Sequence, residues 1–188
     1  APAPAAAAAA PAITHGPALA GVCTVSLEGA IGTSTVGKYV QTRLQQIATQ
    51  VQAELKAEDT AMQTEAKTLE GQRATLDQNT FETRASALQV KANAFQRKAQ
   101  LRERELQATQ QKALGRVGQE LDPIIRQVYQ QRQCSLLLTR DAVVIGNPAM
   151  DISGPVVTAL NAKITTFAFD RERLDQASPA AAAAAPRR

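Results

Sequence analysis

At 188 residues the chain has the length of one domain, but 3% aromatic content with no Trp is too little for a large globular core. Its net charge of +4 is modest and unevenly placed. The single His, at position 15, excludes a His-based triad or multi-His metal centre, and no apolar run reaches the length of a transmembrane helix.

The first predicted segment, 1–20, is an Ala/Pro-rich tail that cannot bury enough surface to order itself. Residues 21–31, GVCTVSLEGAI, alternate as a half-buried strand, with Cys23, Val25 and Leu27 on one face and Val22, Thr24 and Ser26 on the other. Gly29 and Gly32 end it, and Thr33, Ser34 and Thr35 offer caps for a following helix. Residues 36–132 then form a long helical hairpin. Its first helix carries Val40, Leu44, Ile47, Val51, Leu55, Met62, Ala66, Leu69 and Leu76 at steps of mostly 4 and 3. The polar stretch 77–79 is the tip, with Asn79 and Glu82 in a capping arrangement. The return stripe passes Phe81, Ala85, Leu88, Ala92, Phe95, Ala99, Arg102, Leu106 and Thr109 on its way to Val128. Each helix is about 60 Å long or more. Pro123 removes a backbone donor and predicts a kink or break near Asp122.

A second strand is expected over 134–139, continuing through 142–145 after a turn at Arg140-Asp141. A short helix from Pro155 to about Ile164 follows, capped by Asp151 or Ser153, and 167–188 reads as a flexible tail. Segments 21–35 and 133–166 thus form one β-rich body. The fold class is α+β, mostly α. So small a sheet, apolar on both faces, needs other copies of the chain to cover it, which points to Val25, Leu27, Leu136, Leu138, Val143 and Ile145 as oligomerisation residues. Cys23 and Cys134 open the two strands. They are either a disulfide or two small buried thiols, and an isolated pair is not a metal site.

The return helix concentrates charge. Between Arg84 and Arg116 lie eight bases and two acids. This is either a solvated face or an attractor of acidic partners: unfolded acidic polypeptide, an anionic membrane surface or nucleic acid. Arg84, Lys91, Arg97, Lys98, Arg102 and Arg104 are the candidate contacts. Nucleic acid is disfavoured, because few aromatics are available for stacking and no helix-turn-helix or zinc-finger spacing occurs. No Walker A string or G-x-G-x-x-G occurs, and carboxylates such as Glu58-Asp59 sit on a narrow helix without a cleft. The chain reads as a non-enzyme with no catalytic residues and no cofactor.

Four features in order resemble the Skp/OmpH periplasmic chaperones of Gram-negative bacteria. They are GVCTVSLEGAI entering a long helix; the tip LDQNTFETRASALQ; the return LDPIIRQVYQQRQCSLLLTRDAVVIG; and the closing MDISGPVVTALN. The last is similar to the family's D-I-T-x-x-V-[IL]-x-x-L, with Asp151, Ile152, Val156 or Val157 and Leu160 in matching places and Ser153 where Thr is usual. The resemblance implies a homotrimer with a small β-barrel body, from which helical hairpins project around a cavity. It also implies an ATP-independent holdase for unfolded outer-membrane proteins, in the periplasm after removal of a signal peptide. The alternative from another class is a structural coiled-coil spacer or adaptor of the cell envelope.

Overall fold

The computed structural model describes residues 13–175, which divide into two compact units. One unit holds the described part of Ala1–Ser34 together with Glu120–Lys163, and the other holds Thr35–Gln119 with residues 164–175. The sequence-predicted tails at 1–12 and 176–188 lie outside the described residues.

In the first unit, strand β1 (Val22–Val25) pairs in parallel with β2 (Leu136–Thr139), Val22 facing Leu136 and Val25 facing Thr139. The predicted strand over 21–31 is therefore cut short after Val25. The reason is Ser26, whose hydroxyl accepts the Gly29 N–H at 3.1 Å and so caps helix α1, Leu27–Thr33. Leu27 consequently leaves the strand face and is 41% exposed. Ser34 closes α1, its N–H reaching the carbonyls of Ala30 and Ile31, and stands directly before the next helix, which starts at Thr35. Beyond β2, Arg140 pairs with Asp151 at 2.7 Å and a 3-10 turn takes the chain over Arg140–Ala142. No strand forms over 142–145, contrary to expectation, and Val144 and Ile145 are left exposed.

Helix α4 (Ser153–Lys163) buries Val156 and Leu160. Asp151 Oδ1 accepts the Ser153 N–H, and Ser153 Oγ in turn accepts the N–H of Ser26 at 2.8 Å. The Ile152 N–H donates to the Thr24 carbonyl, which places the chain at 151–152 along the free side of β1.

Cys23 and Cys134 are joined in a disulfide, with Cα atoms 5.8 Å apart. Cys134 precedes β2, so the bridge does not link register partners across two strands. It is delivered by the end of the long return helix. There Gln133 takes φ 53° and the Cys134 N–H reaches back to the Tyr129 carbonyl, a helix-closing turn in which glycine is the usual residue. Opposite it, Gly21 has φ 76°, and a Cβ there would sit 2.8 Å from Ser135 Oγ, so only glycine fits.

The second unit is built on helix α2 (Thr35–Gly71) and most of α3 (Gln78–Gln131), about 55 Å and 80 Å long at helical rise. The cap of α3 is Asp77, not Asn79: its carboxylate accepts the Thr80 N–H at 3.0 Å. Pro123 does not break α3, which continues to Gln131 with Leu121, Ile124 and Val128 all buried; that apolar face holds the turns around the missing donor. Burial along the hairpin is uneven. Leu69 is the one buried residue across 52–104, whereas Ile47, Val51, Glu105, Thr109, Ala113 and Val117 are all buried at the end away from the turn.

Candidate functional site

Two helices in contact bury only a narrow seam, so the surface of the hairpin is set by where its charged side chains go. Gln72 bonds Arg84 at 3.0 Å, Glu65 bonds Lys91 at 2.7 Å, Glu58 bonds Lys98 at 2.7 Å and Glu54 bonds Arg102 at 3.3 Å. These pairs descend α2 as they ascend α3, and the first three are spaced by one heptad on both helices. They are rungs of an antiparallel ladder, the flanking polar positions of a coiled-coil seam. Four of the six basic residues expected to contact a partner are thus spent between the helices. Arg97 and Arg104 are exposed and make no ion pair among the described residues.

At the end of the ladder the charges go under cover. Glu105, with a fully buried side chain, meets Arg102 Nη1 at 2.9 Å and Arg171 Nε at 3.2 Å, and its Oε1 accepts the Leu174 N–H at 3.2 Å. The return stripe therefore buries Glu105 where the apolar spacing predicted Leu106. Glu105 is tolerated because three donors meet it. Arg171 and Leu174 lie in the segment expected to be a flexible tail. Residues 167–175 are bonded instead along the helices: Arg43 to Asp170 at 2.7 Å, Lys112 to Glu172 at 2.7 Å, and the Glu172 N–H to Thr109 Oγ1 at 2.9 Å. Phe167 and Phe169 gather with Tyr39, ring centroids 5.3–6.5 Å apart. Arg102 Nε is buried without a partner.

Glu54 receives Lys98, Arg102 and Arg171 together. The hydrogen bond from Lys98, helped by the two guanidiniums, outweighs burial and holds its carboxyl at about 2 against an ordinary 4.5. A carboxyl depressed on folding stabilises above its unfolded pKa, and that contribution fades as pH falls from 4.5 through about 2. Glu54→Gln is therefore expected to lower the melting temperature at neutral pH, with the gap from the unaltered chain closing across that window. A gap that stays constant down to the acid end would place the stabilisation elsewhere.

Among the residues expected to mediate oligomerisation, Val25 is buried within its own unit, Leu138 and Val143 are half-buried, and Leu27, Leu136 and Ile145 are exposed. Leu136 at 49%, Ile145 at 63% and Val144 at 98% exposure leave large apolar side chains around the two-stranded sheet. Among the described residues no cluster of His, Cys, Asp and Glu is arranged to hold a metal, and no helix is long and apolar enough to cross a membrane.

A signal for the ladder was present in the sequence: 84, 91 and 98 on one helix mirror 72, 65 and 58 on the other. The anchoring of 167–175 had no such periodic signal, because five of its last six residues are charged and read as solvated.

A family model for outer membrane proteins of the OmpH-like type matches residues 21–160. The crystal structure of a Caulobacter crescentus protein, provisionally described as an OmpH-like outer membrane chaperone, is similar at 56% identity and TM-score 0.86. The match covers 88% of this chain and 98% of that one. No curated protein matches the chain.

Proposed function

The chain belongs to the OmpH-like outer membrane protein family, and from that premise we propose that it is an ATP-independent periplasmic holdase for unfolded outer-membrane proteins. The observation that carries this reading is the 56% identity, over most of both chains, to a protein itself described as an OmpH-like chaperone. The hairpin supports it. Its half nearest the turn buries a single residue, so it has little packing to resist bending around clients of different size. Arg97 and Arg104, exposed and outside the ladder, supply attraction for acidic segments, and anionic lipid or lipopolysaccharide would meet the same charges. Copies of the chain cover Leu136, Val144 and Ile145 in a homotrimer. The disulfide is of the kind that an oxidising compartment maintains.

The ladder favours one other reading, a structural spacer, because it uses bases internally that a holdase would leave for clients. One assay separates the two. A urea-unfolded outer-membrane β-barrel is diluted into buffer with the purified protein, and light scattering and native mass are followed together. A holdase suppresses scattering and yields a complex of one client with a trimer. Arg97→Glu with Arg104→Glu weakens suppression at low salt and flattens its salt dependence. A chain that leaves aggregation unchanged is a spacer.

A further inference from the structure

Residues 167–174 run without helix or strand structure along α2 and α3, with Phe167, Phe169 and Arg171 half-buried and Ala168 and Asp170 between them exposed. Both helices grip this segment's main chain as well as its side chains. Arg43 Nε donates to the Phe169 carbonyl at 3.4 Å, Thr109 Oγ1 accepts from the Glu172 N–H, and Glu105 accepts from the Leu174 N–H. The alternate side chains enter distinct environments. The two Phe rings meet Tyr39, and Arg171 reaches Glu54 and Glu105 at 3.2 Å each. Main-chain bonds plus alternating side-chain subsites are how proteins read extended peptides.

The segment is not packed as core. A cleft of about 600 Å³ lies between it and α3, lined by Lys112, Ala113, Phe167 and Phe169 among others, and a second of about 400 Å³ lies on the α2 side near Ile47 and Glu54. Both clefts open to solvent, so the segment is left partly uncovered on either side. The Phe rings are moreover only half-buried. The segment is held at the surface of the hairpin by discrete bonds and partial contacts.

We propose that this face of α2 and α3 is a binding site for extended polypeptide of the pattern aromatic-x-aromatic-x-Arg, held closed in cis by the chain's own Phe167-Ala-Phe-Asp-Arg171. Alternating aromatics are the chemistry of a β-strand with one apolar face. Segments of unfolded β-barrel clients thus compete with the cis segment; that identification of the competitor rests on the holdase reading, whereas the peptide site does not.

The test uses the full chain carrying Phe167→Ala, Phe169→Ala and Arg171→Ala, which leaves Tyr39, Arg43, Glu54 and Glu105 in place. A fluorescent peptide of residues 164–175 is expected to bind this chain at least about tenfold more tightly than the unaltered one, whose tethered segment competes at an effective concentration of about millimolar. A scrambled peptide of the same composition is expected not to bind. A folded variant that ignores the peptide, or takes the scrambled one equally well, overturns the site. Should the variant not fold, hydrogen exchange on the unaltered chain decides. Millimolar peptide is expected to speed exchange at the Glu172 and Leu174 amides, and unchanged exchange there overturns the proposal. Neither measurement depends on aggregation, so a failed scattering assay refutes the holdase reading and leaves the site standing.

Discussion

Reducing the Cys23–Cys134 bridge is expected to cost about 2–5 kcal/mol of folding stability. The two residues are 111 apart in sequence, so the bridge closes a loop containing the whole of the helical hairpin. In the chain-entropy account a loop of that size is worth nearly 5 kcal/mol, drawn from the freedom that the unfolded chain loses. The sheet beside it is small: β1 and β2 have four residues each, and a two-stranded sheet is marginal by itself. For a chain of this size the melting temperature should fall by about 2–4 °C per kcal/mol. Cys23→Ala with Cys134→Ala should reproduce the effect of reductant, and reductant should add nothing to that variant. Both are measured at one fixed protein concentration, because assembly itself shifts apparent stability. Exchange protection should be lost first at Ser135 and Leu136, whose amides bond Gly21, while amides near Glu65 and Lys91 keep theirs. Equal stability with and without reductant would mean that the hairpin closes the loop unaided.

What the sequence disclosed follows from the range of the forces involved. The two long helices and the turn between them were legible because heptad spacing repeats over many turns and each repeat reinforces the last. Single-residue features were read less well. Asn79 and Asp77 are both good caps, and only the helix start at Gln78 decides for Asp77. The strand ends at Val25 because one serine hydroxyl captures the Gly29 amide, a local bond that competes with the β alternation continuing to Leu27. Residues 142–145 have strand composition but no strand in the isolated chain, since Arg140 is drawn to Asp151 and the backbone turns away.

The six basic candidates show a different limit. Charge counted along one helix cannot show that the facing helix carries Glu54, Glu58 and Glu65 at matching heights. Once the hairpin register is known, three of the six meet carboxylates and Arg84 bonds the neutral amide of Gln72, so the uncompensated charge among the six is that of Arg84, Arg97 and Arg104. Segment 167–175 was illegible for a related reason. Its charges look solvated until the buried Glu105, eight turns of helix from the tip, is seen to need them.

Glu105→Ala is expected to be the most damaging single substitution in the hairpin, at about 3–5 kcal/mol. Its carboxylate is wholly buried, and removing it leaves Arg102 and Arg171, 12% and 18% exposed, to share Glu54 alone. The Leu174 amide also loses its acceptor. Most of the cost is not the lost attraction but the two guanidiniums left desolvated without enough counter-charge. That reasoning makes a second, opposite prediction. Replacing all three together, Arg102→Met, Glu105→Met and Arg171→Leu, removes every uncompensated charge and should restore stability to near or above that of the original chain. Urea denaturation at fixed protein concentration measures both, and the coupling between them is the deficit of the single variant that the triple variant recovers. If Glu105→Ala cost less than about 1 kcal/mol, the cluster would be behaving as an exposed surface pair. If instead the triple variant were as unstable as the single one, the cluster would supply net binding between the helices and segment 167–175. Recovery of stability together with loss of exchange protection at 168–174 separates the two roles: the charges would then be dispensable for the hairpin itself and required to hold that segment in place.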